Sequence, residues 1–265
     1  MTSTVRHDLT VTLPWMRDGT ALLLGATDRL GDPDLRAPST LPDWTRAHVI
    51  GHVARNAEAL VRLATWARTG VPTPMYGSRE QRTAEIDASA TLPPDVLREQ
   101  LKSTAAELDD ALAALDPTAW GTEVRSALGR TIPAAEIPWM RVREVWLHAI
   151  DLAAGVTFTD LPAPLTDALL DDVTAALSTR PGCPPVHLNP TDRDRTWRFG
   201  PTTAEATAVA PVVAKAEAPT VAQAGAPTVA KAEAPTIVEA PATELLAWTT
   251  GRAQRAEPVT LPRWL

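Results

Sequence analysis

The run RAHVIGHVARNAEALVRLATWART constrains this chain most. It keeps a helical hydrophobic period from the LPDWT segment, where Asp43 or Thr45 can serve as N-cap, to Gly70, a suitable residue just past a helix end. A helix that long and apolar on one side must bury that side against other elements. Three further segments have the same character. Leu13 to Leu30 carries Trp15, Leu22, Leu23, Ala26 and Leu30 and stops at GDPDLRAPST. TLPPDVLREQLKSTAAELDDALAALD begins with prolines and bears a stripe of Leu97, Leu101, Ala105, Leu108, Leu112 and Leu115. The last begins between Pro133 and Pro138 and extends to about Ala154, with Gly155 ending it. Between the second and third, VPTPMYGSREQRTAEID reads as a loop with two prolines leading into a short polar turn. The expectation is a four-helix bundle.

After residue 160 the pattern changes. One more helix, Leu165 to Leu177, precedes PPVHLNP and DRTWRFG, which suit strands, and a helix ATELLAWTTGR follows near the end. We therefore expect a bundle over residues 1–158 and a smaller α/β domain over 159–265. A low-complexity insert at about 205–235 interrupts the second domain with a period of eight marked by Pro211, Pro219, Pro227 and Pro235. Repeated prolines block a continuous helix, and Ala-rich units bury too little surface to offset ordering entropy. The insert is predicted to be mobile or extended, with TIVEA as the copy that joins the sheet.

Composition excludes several classes. A chain of 265 residues can bury a core without disulfides, and its single cysteine, Cys183, precludes an internal disulfide framework. No apolar run approaches the ~20 residues of a membrane crossing. The N-terminal segment lacks the pattern of a secretory leader, so a cytoplasmic protein is expected. A net charge of −7 and scattered arginines argue against nucleic-acid binding.

Only five histidines are present, which shortens the search for chemistry. His48 and His52 stand four apart on the second helix, and Glu144 and His148 four apart on the fourth. Residues at that spacing share a face with Cβ atoms ~6 Å apart, so each pair can converge on a point between packed helices. Spacing alone leaves two readings open. One is a metal site with positions free for water or substrate. The other is a buried ion pair of Glu144 with Arg141 or Arg143 beside an ordinary histidine, with His48 exposed or capping. Cys183 lies in a Pro-rich loop with nothing nearby to lower its pKa, so it is a poor nucleophile. The pairs Asp109–Asp110 and Asp171–Asp172 read as solvated helix surface, and no glycine-rich phosphate loop occurs.

Taken together, LPDWTRAHVIGHVARNA, TPMYGSREQR, GRTIPAAEIPWMRVREVWLHAIDL and the terminal PRWL resemble the mycothiol-dependent maleylpyruvate isomerases of the DinB-like metalloenzyme superfamily. The resemblance spans both ends of the chain and lapses over the octapeptide insert. It implies a DinB-type bundle holding a divalent metal, with a C-terminal α/β domain closing one side of a pocket. The matching ligands are His52, Glu144 and His148, which leaves His48 as a neighbour. Arg252, in the TTGR segment, matches an arginine the family uses in catalysis. Arg82, in the loop after the second helix, is a further candidate for a substrate carboxylate, because a guanidinium meets carboxylates bidentately.

The implied reaction turns maleylpyruvate into fumarylpyruvate, a step of gentisate degradation, with mycothiol as a catalytic cofactor. A thiolate added across the cis double bond leaves a single bond that rotates, and its expulsion gives the trans isomer. The thiol, with a pKa near ~8.5, must be deprotonated, and charge driven onto the dicarbonyl unit must be stabilised. A metal ion, zinc being the expected one among first-row ions this donor set admits, can serve either need. Two alternatives share the metal site: a mycothiol S-transferase that conjugates electrophiles for detoxification, and a regulatory metal-binding bundle without thiol chemistry.

Overall fold

In the computed structural model, which describes residues 5–201, 234–255 and 259–264, the chain divides into two compact units, Met1–Leu165 and Thr166–Leu265. The first unit carries α1 (Leu9–Asp28), α2 (Arg46–Thr69), α3 (Arg79–Ala90), α4 (Pro94–Ala113), a hairpin of β1 (Glu123–Arg125) and β2 (Thr131–Pro133), and α5 (Ile137–Asp151). The four long helices α1, α2, α4 and α5 form the expected bundle: α2 packs on α4 and α5, and α1 on α5 and α4. Its core is built from the sequence periodicity. Met16, Leu23 and Ala26 of α1, Leu97, Leu101, Leu108 and Leu112 of α4, and Val142, Val145 and Trp146 of α5 are all buried. α2 is buried on several sides and is rich in Ala, with a single Gly, so neighbouring helices approach it closely. A Cβ on Gly51 would stand 2.6 Å from the Cβ of Ser89 on α3.

Helix ends are fixed by local chemistry. α1 begins four residues earlier than the apolar pattern implies, because Asp8 accepts from Thr10 N–H and caps it. Pro14 lies inside that helix. Thr45, not Asp43, caps α2 in a reciprocal capping box with His48, and Gly70 ends it at φ 73°. α5 stops at Asp151, short of Ala154, as the backbone turns left-handed at Ala153 (φ 49°) and Gly155 (φ 86°). Arg46 donates to the carbonyls of Leu152 and Ala153, and Arg29 to that of Ala154. These cations satisfy acceptors at the negative end of α5 and tie it to the start of α2.

Two elements depart from the sequence reading. The segment expected as loop and short polar turn contains α3, a 12-residue helix capped by Ser78, whose Oγ accepts from Gln81 N–H. Its polar composition hides the two residues, Ile86 and Ser89, that it buries. The β1–β2 hairpin was not anticipated, because three-residue strands show too little alternation to register.

The second unit contains most of α6 (Ala163–Ser178), then β3 (Val186–Pro190), β4 (Trp197–Phe199), β5 (Thr236–Ala240) and α7 (Ala242–Thr249). The sheet order is β4-β3-β5, with β3 antiparallel to β4 and parallel to β5. TIVEA thus supplies a sheet strand. The preceding octapeptide copies lie outside the described residues. Asp171 and Asp172 are not the solvated pair expected: Asp172 is buried, and Asp171 accepts from Trp197 Nε1 at 2.7 Å and Arg195 at 2.5 Å. Strand β4 reaches back onto α6 through these bonds, a tertiary contact invisible to helical spacing. Near the chain end, Trp264 is buried and its carbonyl accepts from Arg180 at 2.7 Å.

Candidate metal centre

Residue 52 lies two turns into α2 and residue 148 in the last turn of α5, so the Arg46 tie between the two helix ends also brings their inward faces to one level. His52 Nε2 lies 2.9 Å and His148 Nε2 3.2 Å from the same oxygen, Oε2 of Glu144. The imidazoles stand edge to face with centroids 4.8 Å apart. One donor atom from each of the three residues falls within 4.8 Å of the others. Ligands bound at about 2.1 Å around one tetrahedral ion are about 3.4 Å apart; each imidazole nitrogen lies near that distance from the carboxylate oxygen, and two such nitrogens with a carboxylate oxygen are a donor set for a small divalent ion.

The surroundings set the proton positions. Asp151, fully buried, accepts from His148 Nδ1 at 2.8 Å. Burial works against the charged imidazole of His148, but its bonds to Asp151 and Glu144 prevail and raise its pKa. His52 differs: burial dominates and lowers its pKa despite Glu144, and Arg82 faces its Nδ1 at 3.2 Å. A guanidinium only donates, so that nitrogen accepts and the Nε2 proton points at Glu144. Burial opposes ionisation of Glu144, yet the two histidines hold its carboxyl well below the usual range. Burial thus favours the neutral ring at His52, while the bonds to Asp151 and Glu144 favour the charged ring at His148, and Glu144 lies between the two as their shared acceptor.

The open readings of the neighbouring residues resolve here. His48 is a capping histidine: its Nδ1 meets Thr45 N at 3.2 Å and Oγ1 at 2.7 Å. Arg141 does not bridge to Glu144 but turns to α2, donating to Val53 O at 2.7 Å and Asn56 Oδ1 at 2.9 Å, and burial pushes its pKa down to about 10. Arg82 sits on α3 and not in a loop, its guanidinium 5.5 Å from the Tyr76 ring centroid as well as against His52. Trp44 meets the edge of His52 at 5.4 Å. Sequence reasoning passed over Trp44, Tyr76 and Asp151, although the spacing of Asp151 from His148 offered a signal.

The family profile described as the mycothiol maleylpyruvate isomerase N-terminal domain matches residues 16–153, the span containing all three candidate ligands. The chain belongs to this family. Among solved structures, the mycothiol-dependent maleylpyruvate isomerase superposes with a TM-score of 0.83 at 31% identity, over 98% of this chain and 100% of that one. The crystal structure of a histidine-to-alanine mutant of that enzyme matches equally well. Curated protein sequences returned no match.

As a maleylpyruvate isomerase family member, the chain presents its second-unit candidate, Arg252, in a defined way. Gly251, at φ 75°, lets Gly251 N–H bond to Trp248 O and Arg252 N–H to Ala247 O, a Schellman ending of α7. The arginine is thus directed by the helix stop that precedes it. Cys183 is buried, and burial pushes its thiol pKa up, which makes it a poor nucleophile. The family's reliance on a borrowed thiol is consistent with that inertness.

Proposed function

We propose that this protein isomerises maleylpyruvate to fumarylpyruvate using mycothiol, at a divalent metal held by His52, Glu144 and His148. The observation that carries the proposal is the convergence of two imidazole nitrogens on one carboxylate oxygen inside the span matched by the isomerase family. Zinc is the proposed ion, since a His₂Glu set with open positions is a catalytic zinc arrangement. When bound, metal and mycothiol supply an acidified thiol for reversible addition to the cis double bond, together with Lewis acidity toward the charge that develops.

The chain's own residues supply the rest. His52 and His148 would offer their Nε2 atoms to the ion, while Asp151 accepts from Nδ1–H of His148 and so holds that ring's orientation. Arg82, a donor fork at the site's edge, is placed to take a substrate carboxylate, with the face of Tyr76 supporting its cation. Trp44 shields one side of His52 from water. Arg252 is assigned to a carboxylate or to the enolate-like charge. Residues 1–158 and 159–265 are proposed as the functional domains.

No helix among the described residues is long and apolar enough to cross a membrane. A reducing cytoplasm is the proposed compartment, because the thiol cofactor must stay reduced there.

The test is to mix maleylpyruvate and mycothiol with zinc-loaded protein and follow fumarylpyruvate by absorbance. Turnover should be lost in His52→Ala, and free mycothiol should be recovered after many turnovers. No turnover, or equal turnover in the variant, overturns the proposal. Mycothiol consumed into a conjugate would instead identify an S-transferase.

A further inference from the structure

We infer that Asp151 and Thr40 are positioning residues for the metal centre, and that the loop of residues 38–45 orients both ligand histidines. The inference rests on His52, Glu144 and His148 being the ligand set.

Asp151 is unusual on electrostatic grounds. It is the last residue of α5, where the helix dipole disfavours a negative charge, and its side chain is 0% exposed. Neither helix stability nor solvation accounts for a carboxylate there. Its contacts do. Oδ2 accepts from His148 Nδ1 at 2.8 Å, Oδ1 accepts from the Thr40 hydroxyl at 2.8 Å, and its main-chain carbonyl accepts from Thr40 N–H at 3.0 Å. An acceptor-only carboxylate keeps a proton on Nδ1, which leaves Nε2, the nitrogen beside Glu144, as the one that can bind a cation, and its charge makes the imidazole a stronger donor to that cation. Held by the hydroxyl and the main-chain N–H of one residue, the aspartate is pinned in one orientation.

Thr40 belongs to a short loop closed on itself by the Pro38–Thr45 bridge and by Ser39 Oγ donating to Trp44 O at 2.8 Å. Its other end presents Trp44 to the edge of His52, with centroids 5.4 Å apart, and leads into the α2 cap at Thr45. One loop therefore grips His148 through Thr40 and Asp151, and His52 through Trp44.

The experiment measures zinc affinity of the full-length protein by competition with a chromophoric chelator, for the parent, Asp151→Asn, Thr40→Val and Thr40→Ser. Asp151→Asn keeps an acceptor but removes the charge, and should weaken zinc by about 10–100-fold, the usual effect of losing such a partner. Thr40→Val should weaken it less, and Thr40→Ser should restore parental affinity by returning the hydroxyl. Visible absorption of the cobalt-loaded Asp151→Asn protein should shift from the parent's, a signature that a purely structural role would leave unmoved. Should Asp151→Asn not fold, the Thr40 pair decides. Parental zinc affinity in Asp151→Asn and Thr40→Val, or failure of Thr40→Ser to restore it, overturns this inference while leaving the ligand set intact. A parent that binds no zinc overturns both.

Discussion

Glu144 and His148 are legible as a pair in the sequence because four residues is one helical turn. What spacing could not say is which acceptor each imidazole faces. His48 and His52 have the same spacing, yet one closes a capping box and the other meets Glu144 across the bundle. A second acidic residue is decided just as locally. Glu136, with its side chain 5% exposed, accepts from His7 at 3.2 Å and from Arg130. Burial pushes its pKa up, but these two partners prevail and hold it below the ordinary 4.5. A carboxyl depressed on folding stabilises the protein above its unfolded pKa, and that contribution disappears as pH falls through the lower folded value. Melting temperature should therefore fall on acidification below about pH 4.5. In Glu136→Gln that fall should be shallower, as differential scanning calorimetry across the acid range would show; an unchanged slope would remove Glu136 from the account.

Among elements, the long helices were readable and the short ones were not. Burial along one face of α1 and α4, and on several sides of α2 and α5, leaves apolar runs that survive in the sequence. α3 buries only Ile86 and Ser89, and its helicity rests on the Ser78 cap and on its fit to α2 at Gly51. The resulting position of Arg82, on a helix and not in a loop, was therefore illegible. Close helix approach also explains Gly19. A Cβ there would stand 2.5 Å from Trp146 Nε1 and 2.6 Å from Val145 Cγ2. The indole cannot retreat freely, since its N–H donates to Trp15 O at 2.8 Å. Gly19→Ala should destabilise the protein by about 1–3 kcal/mol through overpacking, despite alanine's better helix propensity. Chemical denaturation would measure this, and a stabilised variant would show that α1 and α5 can part without cost.

At the scale of the whole molecule, each unit carries its own candidates. The candidate ligands lie on α2 and α5 of the first, and the candidate arginine, Arg252, just past the end of α7 in the second. Arg252→Ala should lower kcat by about 10²-fold, the scale of losing one preorganised charge partner, while zinc content by elemental analysis stays at the parental level. Loss of zinc together with activity would assign Arg252 a structural role instead.

From its sequence alone the chain determined its bundle, its α/β second unit, the strand role of TIVEA and the short set of residues able to bind a metal. These follow from hydrophobic period, helix stops and side-chain chemistry, all of which are local. The resemblance already chooses His52 over His48; the tertiary structure alone decided that Arg141 turns away to α2, and that Asp151 and Thr40 stand behind His148. Those choices depend on how far two helices slide and rotate against each other. The α2–α5 offset is held by the Arg46 bonds to the end of α5, while Gly19 lets α1 approach α5 and Gly51 lets α3 approach α2, all contacts between residues far apart in the chain.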